Sequence, residues 1–163
     1  MKNTGITNIT NNTIEKLNIM ILPYGDTDVS HLKGNDYYKA LNKCVLSVPY
    51  LINKIHFDKN KPENHNIYIK NKRNDYIMVW DGKKWIVKDQ TEVIDDIIRE
   101  NEYRLEDWLE EGSKKFPKAA EKFKLYVSKR DEKGVPEMVR KEVKMMLYNN
   151  RDMIQEITES QIH

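Results

Sequence analysis

A chain of 163 residues, 39% hydrophobic and 33% charged, has the length of one domain and enough Ile, Val, Leu and aromatic side chains for one core. No apolar run approaches the roughly 18 residues that cross a bilayer, and no signal-peptide-like segment follows Met1-Lys2-Asn3, so the expectation is a protein that is neither membrane-bound nor secreted. A formal charge of +2 is too small to imply nucleic acid by itself, and a single cysteine, Cys44, excludes a disulfide framework and every multi-cysteine zinc site.

Residues 1–16 are rich in Asn and Thr, with Ile6, Ile9 and Ile14 spaced among them. Such a composition buries little apolar surface and reads as a linker, or as a stalk through which copies of the chain associate. Residues 17–22 predict a strand stopped by Pro23 and Gly25, and Asp26 to Leu32 a single helical turn. Asn35 or Asp36 is placed to cap a helix bearing Tyr37, Tyr38, Leu41, Cys44 and Val45. Cys44 then reads as a buried thiol serving as a small hydrophobe. Ser47, with Pro49 in the first turn, is placed to cap a second helix that carries Leu51, Ile52 and Ile55 and closes at His56.

Asp81-Gly82 between two β-prone runs predicts a two-residue type I′ hairpin, since both turn residues need positive φ. In that register Trp80 faces Lys83, Met78 faces Trp85 and Tyr76 faces Val87, while Ile77 with Ile86 and Val79 with Lys84 take the other side. Ile67-Tyr68-Ile69 supplies a third strand. Asp89 followed by Glu92 resembles a capping box, and Val93, Ile94, Ile97, Ile98, Leu105, Trp108 and Leu109 form an apolar stripe ended by Gly112. A shorter helix follows Pro117, and Pro136 opens another with Met138, Val139, Val143, Met146 and Leu147 on one face. The expected fold is α+β: a small antiparallel sheet, made of the hairpin about Asp81-Gly82 and short strands, between N-terminal and C-terminal helices. Residues 1–16 are its linker or oligomerisation stalk, 17–150 the domain and 151–163 a tail that frays.

Polar chemistry concentrates between His56 and Asn66. A nuclease of the HNH, or ββα-metal, type needs a histidine to activate water, an asparagine to orient it and a held divalent ion. His56 as base and Asn64 as orienting residue resemble the first half of that motif. However, Ile55 stands where a metal ligand is usual, and Ile67-Tyr68-Ile69 prefers a strand where that family continues into a helix. The architectural alternative makes His56 a helix-terminal cap and Asn64, His65 and Asn66 a loop held by side-chain to backbone hydrogen bonds. No third ligand joins His56 and His65, so no metal or other cofactor is expected. Asp95, Asp96, Glu100, Glu106 and Glu110 read as a solvated helix face rather than a catalytic pair. Lys59, Lys61, Lys70, Lys72 and Arg73, with Tyr68 or Tyr76 near them in sequence, are the candidate nucleic-acid contacts. The same lysines also serve as solubilising groups on a loop and a sheet edge.

Several strings are shared with one family: Pro23-Tyr24-Gly25 with Asp28 and Ser30-His31, Ser47-Val48-Pro49, Ile55-His56-Phe57, Lys61-Pro62-Glu63-Asn64-His65-Asn66-Ile67, Trp80-Asp81-Gly82-Lys83-Lys84-Trp85 and Met146-Leu147-Tyr148-Asn149-Asn150. Through them residues 19–150 resemble the C-terminal domain, of uncharacterised function, of zinc-finger-type proteins encoded by giant DNA viruses. There it commonly follows a finger of the two-cysteine, two-histidine type and an Asn-rich linker. The resemblance implies a viral accessory role beside a DNA-reading module, in the host cytoplasm or viral factory, and supplies no catalytic residues. This chain has no such finger. The expectation is therefore a non-enzymatic interaction module linked to nucleic-acid transactions, with the nuclease and direct nucleic-acid binding as alternatives. Its spaced N-terminal isoleucines, together with Met145 lying off the apolar stripe of its helix, suggest a homo-oligomer.

Overall fold

The computed structural model describes residues 19–162, and side chains through residue 157. The expected stalk over residues 1–16 lies outside the described residues. Helices α1 (Gly34–Leu41) and α2 (Ser47–His56) precede strands β1 (Ile67–Tyr68), β2 (Tyr76–Trp80) and β3 (Trp85–Asp89). Helices α3 (Gln90–Glu111), α4 (Ala119–Arg130), α5 (Val135–Asn149) and α6 (Arg151–Ile162) follow. The sheet is antiparallel in the order β1-β2-β3, and the chain is an α+β protein as its sequence implies.

Helix α2 is the centre of the molecule. Leu51, Ile52 and Ile55 recur at helical spacing and are all 0% exposed, against α1, α3 and α5. Helix α3 begins where Asp89 Oδ1 accepts the Glu92 N–H at 2.9 Å and ends at Gly112, as the capping pattern implies. Its stripe of Val93, Ile94, Ile97, Leu105 and Trp108 is buried. The core face of the sheet carries buried Ile67, Val79 and Ile77, with half-buried Ile86 in the same row. The opposite face is partly bare: Tyr68 is buried and meets Trp85 edge-on at 5.0 Å, but Tyr76 and Val87 are exposed.

Five local expectations are corrected. The hairpin turns about Gly82-Lys83, because Asp81 N donates to Lys84 O at 3.1 Å and so belongs to the ladder. Its carboxylate also accepts the N–H groups of Lys83 and Lys84, at 2.7 and 2.8 Å. Gly82 takes the first central position at φ 103°, where glycine suits a type II′ turn. The register therefore slides by two residues and sets Trp80 opposite Trp85, rings 5.4 Å apart, in place of Trp80 opposite Lys83. A slip of two keeps every side chain on its expected face, whereas a slip of one would have inverted the sheet.

Residues 19–22 make no strand. They are the start of an extended strap, tied down by Leu22 N to Glu63 O at 2.8 Å and Trp80 Nε1 to Ile21 O at 3.1 Å. Helix α1 starts after Lys33, whose N–H is accepted by Asp36 at 2.9 Å, and stops before Cys44. Cys44 is half-buried with φ 50°, a left-handed conformation that ends the helical path. Ser47 gives its hydroxyl to the Cys44 carbonyl and does not cap α2; a 3₁₀ turn over Cys44–Leu46 runs directly into that helix. Finally, the fold continues past Asn150. Helix α6 buries Ile154 completely, and Ile69 N donates to Leu147 O at 3.2 Å, joining β1 to the end of α5.

Gly82 also touches the strap. A Cβ there would sit 3.0 Å from Pro23 Cγ, on a backbone that L residues avoid. Gly82→Ala is expected to lower unfolding free energy by about 1–2 kcal/mol. Urea denaturation measures it, and an unchanged midpoint would mean that the turn reshapes freely.

Candidate functional site

The residues between His56 and Asn66 form a buried polar knot that fastens the strap to the domain. The His56 side chain turns inward at the end of α2 and is 2% exposed. Its Nδ1 lies 3.0 Å from Asn66 Oδ1 and 3.2 Å from the Asn64 carbonyl. Both are acceptors, so Nδ1 carries the proton. Burial pushes the imidazole down to about 4, keeping it neutral, and the Tyr24 ring stacks on it at 5.8 Å.

Asn66 uses its whole carboxamide. It accepts from His56 and donates to Leu22 O at 3.2 Å and to Thr27 Oγ1 at 3.0 Å. Asn64 imitates a main-chain pair: Nδ2 donates to Asp28 O at 2.6 Å, and Oδ1 accepts the Asp28 N–H at 3.1 Å. Both asparagines are 0% exposed, which is affordable only because these groups are paired. Two further imidazoles work the same way. His65 donates Nε2–H to Asp58 O at 3.0 Å, and His31 donates Nε2–H to Lys54 O at 2.9 Å. Among the described residues no group of three His, Cys, Asp or Glu side chains converges as a metal site.

At the edge of the knot Lys61 bridges Asp28 at 3.1 Å and Glu63 at 2.8 Å. The Asp28 carboxyl is held down to about 2, first by the N–H and hydroxyl of Ser30 and then by Lys61. Lys61 is thus committed within the protein, unlike the other basic candidates.

Lys70, Lys72 and Arg73 lie exposed on the β1–β2 loop and, among the described residues, form no ion pair. Lys72 Nζ is 5.8 Å from the centre of the Tyr148 ring, and the Arg151 guanidinium lies 3.9 Å from the same centre. Arg151 is steadied there by donating to the Tyr148 carbonyl at 3.0 Å. Lys59 is exposed on the separate loop after α2. Of the five basic residues read from the sequence, the structure therefore brings Lys72, flanked by Lys70 and Arg73, to an aromatic and a further cation. Arg151 is not legible because residues 151–163 read as a tail, and Tyr148 because it lies off the apolar stripe of its helix. The signal that could have found them is the Tyr148–Arg151 spacing of three across the α5–α6 junction.

No protein-family model, no curated protein and no solved structure matches this chain. No helix among the described residues is long and apolar enough to cross a membrane.

Proposed function

We propose that this chain is a non-enzymatic viral accessory module that self-associates and holds nucleic-acid phosphates on a basic rim formed by Lys70, Lys72, Arg73 and Arg151 around Tyr148. The observation that carries this reading is the meeting of Lys72 and Arg151 on one tyrosine ring, beside cations that have no carboxylate partner among the described residues. Cations already neutralised by acids, as Lys61 is, gain little from a phosphate; unpaired ones gain by releasing condensed counterions from the strand. Aromatic and guanidinium faces add stacking that tolerates any base.

The non-enzymatic part draws on His56. A general base must come within about 2.6–3.2 Å of a substrate proton, whereas this imidazole is only 2% exposed and lies stacked against the Tyr24 ring. Self-association draws on the exposed Met138 and Met145 of α5. The resemblance to giant-virus proteins supplies the viral context.

Fluorescence anisotropy with a labelled oligonucleotide tests the rim. Lys70→Glu/Lys72→Glu should weaken binding by about tenfold or more, and should flatten the dependence of log K on log salt by about 2. Equal affinity of the variant and the parent at every salt concentration would overturn the reading. Plasmid cleavage with magnesium or manganese that vanishes in His56→Ala would overturn its non-enzymatic part. A strict monomer in light scattering at high concentration would remove self-association.

A further inference from the structure

A second site lies on another face of α3. There α3, α4 and α5 surround an open cavity of about 280 Å³, close to the lower end of small-ligand pockets, about 300 Å³. Asp95, Arg99 and Glu102 lie at one helical face of α3, rotated away from the stripe of Ile97, Leu105 and Trp108. Asp95 Oδ1 holds Arg140 Nε of α5 at 2.6 Å. Glu102 accepts the Tyr126 hydroxyl of α4 at 2.8 Å and faces Arg130 Nη1 at 3.5 Å. Asp95, expected on a solvated helix face, instead spans to a neighbouring helix.

These pairings orient the arginines without using them up. Asp95 occupies Nε of Arg140 and leaves its two Nη amino groups unengaged among the described residues. Arg99 sits between the two acids on α3, and its one ion pair among the described residues is with Asp96, through one Nη at 3.2 Å. Three guanidinium groups from three helices thus line one space, with Ile98 and Val139 as apolar wall. Ion pairs still in contact with solvent, as these half-buried ones are, add little to stability, so they do not account for a space kept open between them. Planar forks with free N–H groups fit the oxygens of a phosphate or carboxylate.

We infer that this cavity binds a small organic anion, with one phosphate or carboxylate group on an apolar body, gripped by Arg99, Arg130 and Arg140. Asp95, Glu102 and Asp131 also line the space and balance the arginines, so the site suits a compact anion and not a polyphosphate or a nucleic-acid strand. It is separate from the basic rim: Arg140 and Tyr148 are about 12 Å apart along α5 by helix rise.

The test is a titration of the full chain with phenyl phosphate, benzoate, inorganic phosphate and benzylamine, followed through the arginine Nε–Hε resonances. Phenyl phosphate or benzoate should shift the Arg130 and Arg140 signals saturably, and whichever binds tighter identifies the anionic group. Arg99→Gln, at an exposed position, should weaken that binding by about tenfold without moving the urea midpoint, and Lys72→Glu should leave it unchanged. The inference is overturned if neither aryl anion gives a saturable shift, if Arg99→Gln binds equally well, or if benzylamine acts alike. Inorganic phosphate binding as tightly as phenyl phosphate would overturn the apolar body.

Discussion

Asn66→Ala should lower the free energy of unfolding by about 3–4 kcal/mol, as much as the truncation of a large apolar core residue. The Asn66 side chain is fully buried and satisfies a histidine, a main-chain carbonyl and a threonine hydroxyl at once. Truncation strips those partners without letting water in, and each stranded buried group costs about 1–3 kcal/mol. His56 keeps a partial partner in the Asn64 carbonyl, which is why the estimate stays below the sum of three full penalties. Asn66→Asp keeps the acceptor for His56 and loses both donors, so it should not rescue stability. Urea unfolding with an unchanged slope is the measurement. A loss below about 1 kcal/mol in Asn66→Ala would mean that the strap is held by apolar contact alone.

Acid should loosen the protein well before its carboxylates titrate. The folded His56 imidazole is pushed from its ordinary 6.5 down to about 4 by burial. Above pH 6.5 it is neutral in both folded and unfolded chains and gives no slope. Between 6.5 and 4 the unfolded chain takes up a proton that the folded chain refuses, so stability falls as pH falls. Below 4 the folded chain protonates too and the loss levels off at about 3 kcal/mol. Burial of His65 acts in the same direction. Asp28, held near 2, loses its contribution only below this window, so the two effects separate. Unfolding free energies at pH 7.5 and 4.5 should differ by about 2–3 kcal/mol, and His56→Gln should remove most of the difference. A parent protein equally stable at both values would contradict the buried, neutral imidazole.

Much of this architecture can be read from residue spacing. The helices around the sheet follow from apolar recurrence at 3.6, and the cap at Asp89 from the acceptor it offers to Glu92. The sheet faces follow from alternation. Register was two residues off because Asp81 binds the amides that follow it, a local preference that outweighs the usual place of Asp-Gly in a turn. Helix α6 is illegible because Ile154, the one deeply buried side chain described in it, anchors a segment otherwise mostly polar in sequence. The run at residues 19–22 looked like a strand because a chain segment bound by side chains needs the same apolar residues as one bound by a ladder. In the knot, the crowding of His56, Asn64 and Asn66 was visible. Their partners Leu22, Thr27 and Asp28 were not, because a carboxamide imitating a peptide group leaves no periodic trace.

The strap over residues 19–32 is stitched down by carboxamides, with no ladder beneath it. Such a clasp can be undone without tearing the sheet, since no strand pairing depends on it. Lifting it would wet Asn64, Asn66 and His56 together, and a wetted imidazole accepts a proton near 6.5. Among the described residues the hydrogen bonds of His56 all fall on Nδ1, so a second N–H would find no acceptor there and reclosing would first require that proton to leave. Mild acidity would then hold the clasp ajar, and a fastener built from neutral histidine becomes one that a drop in pH unhooks.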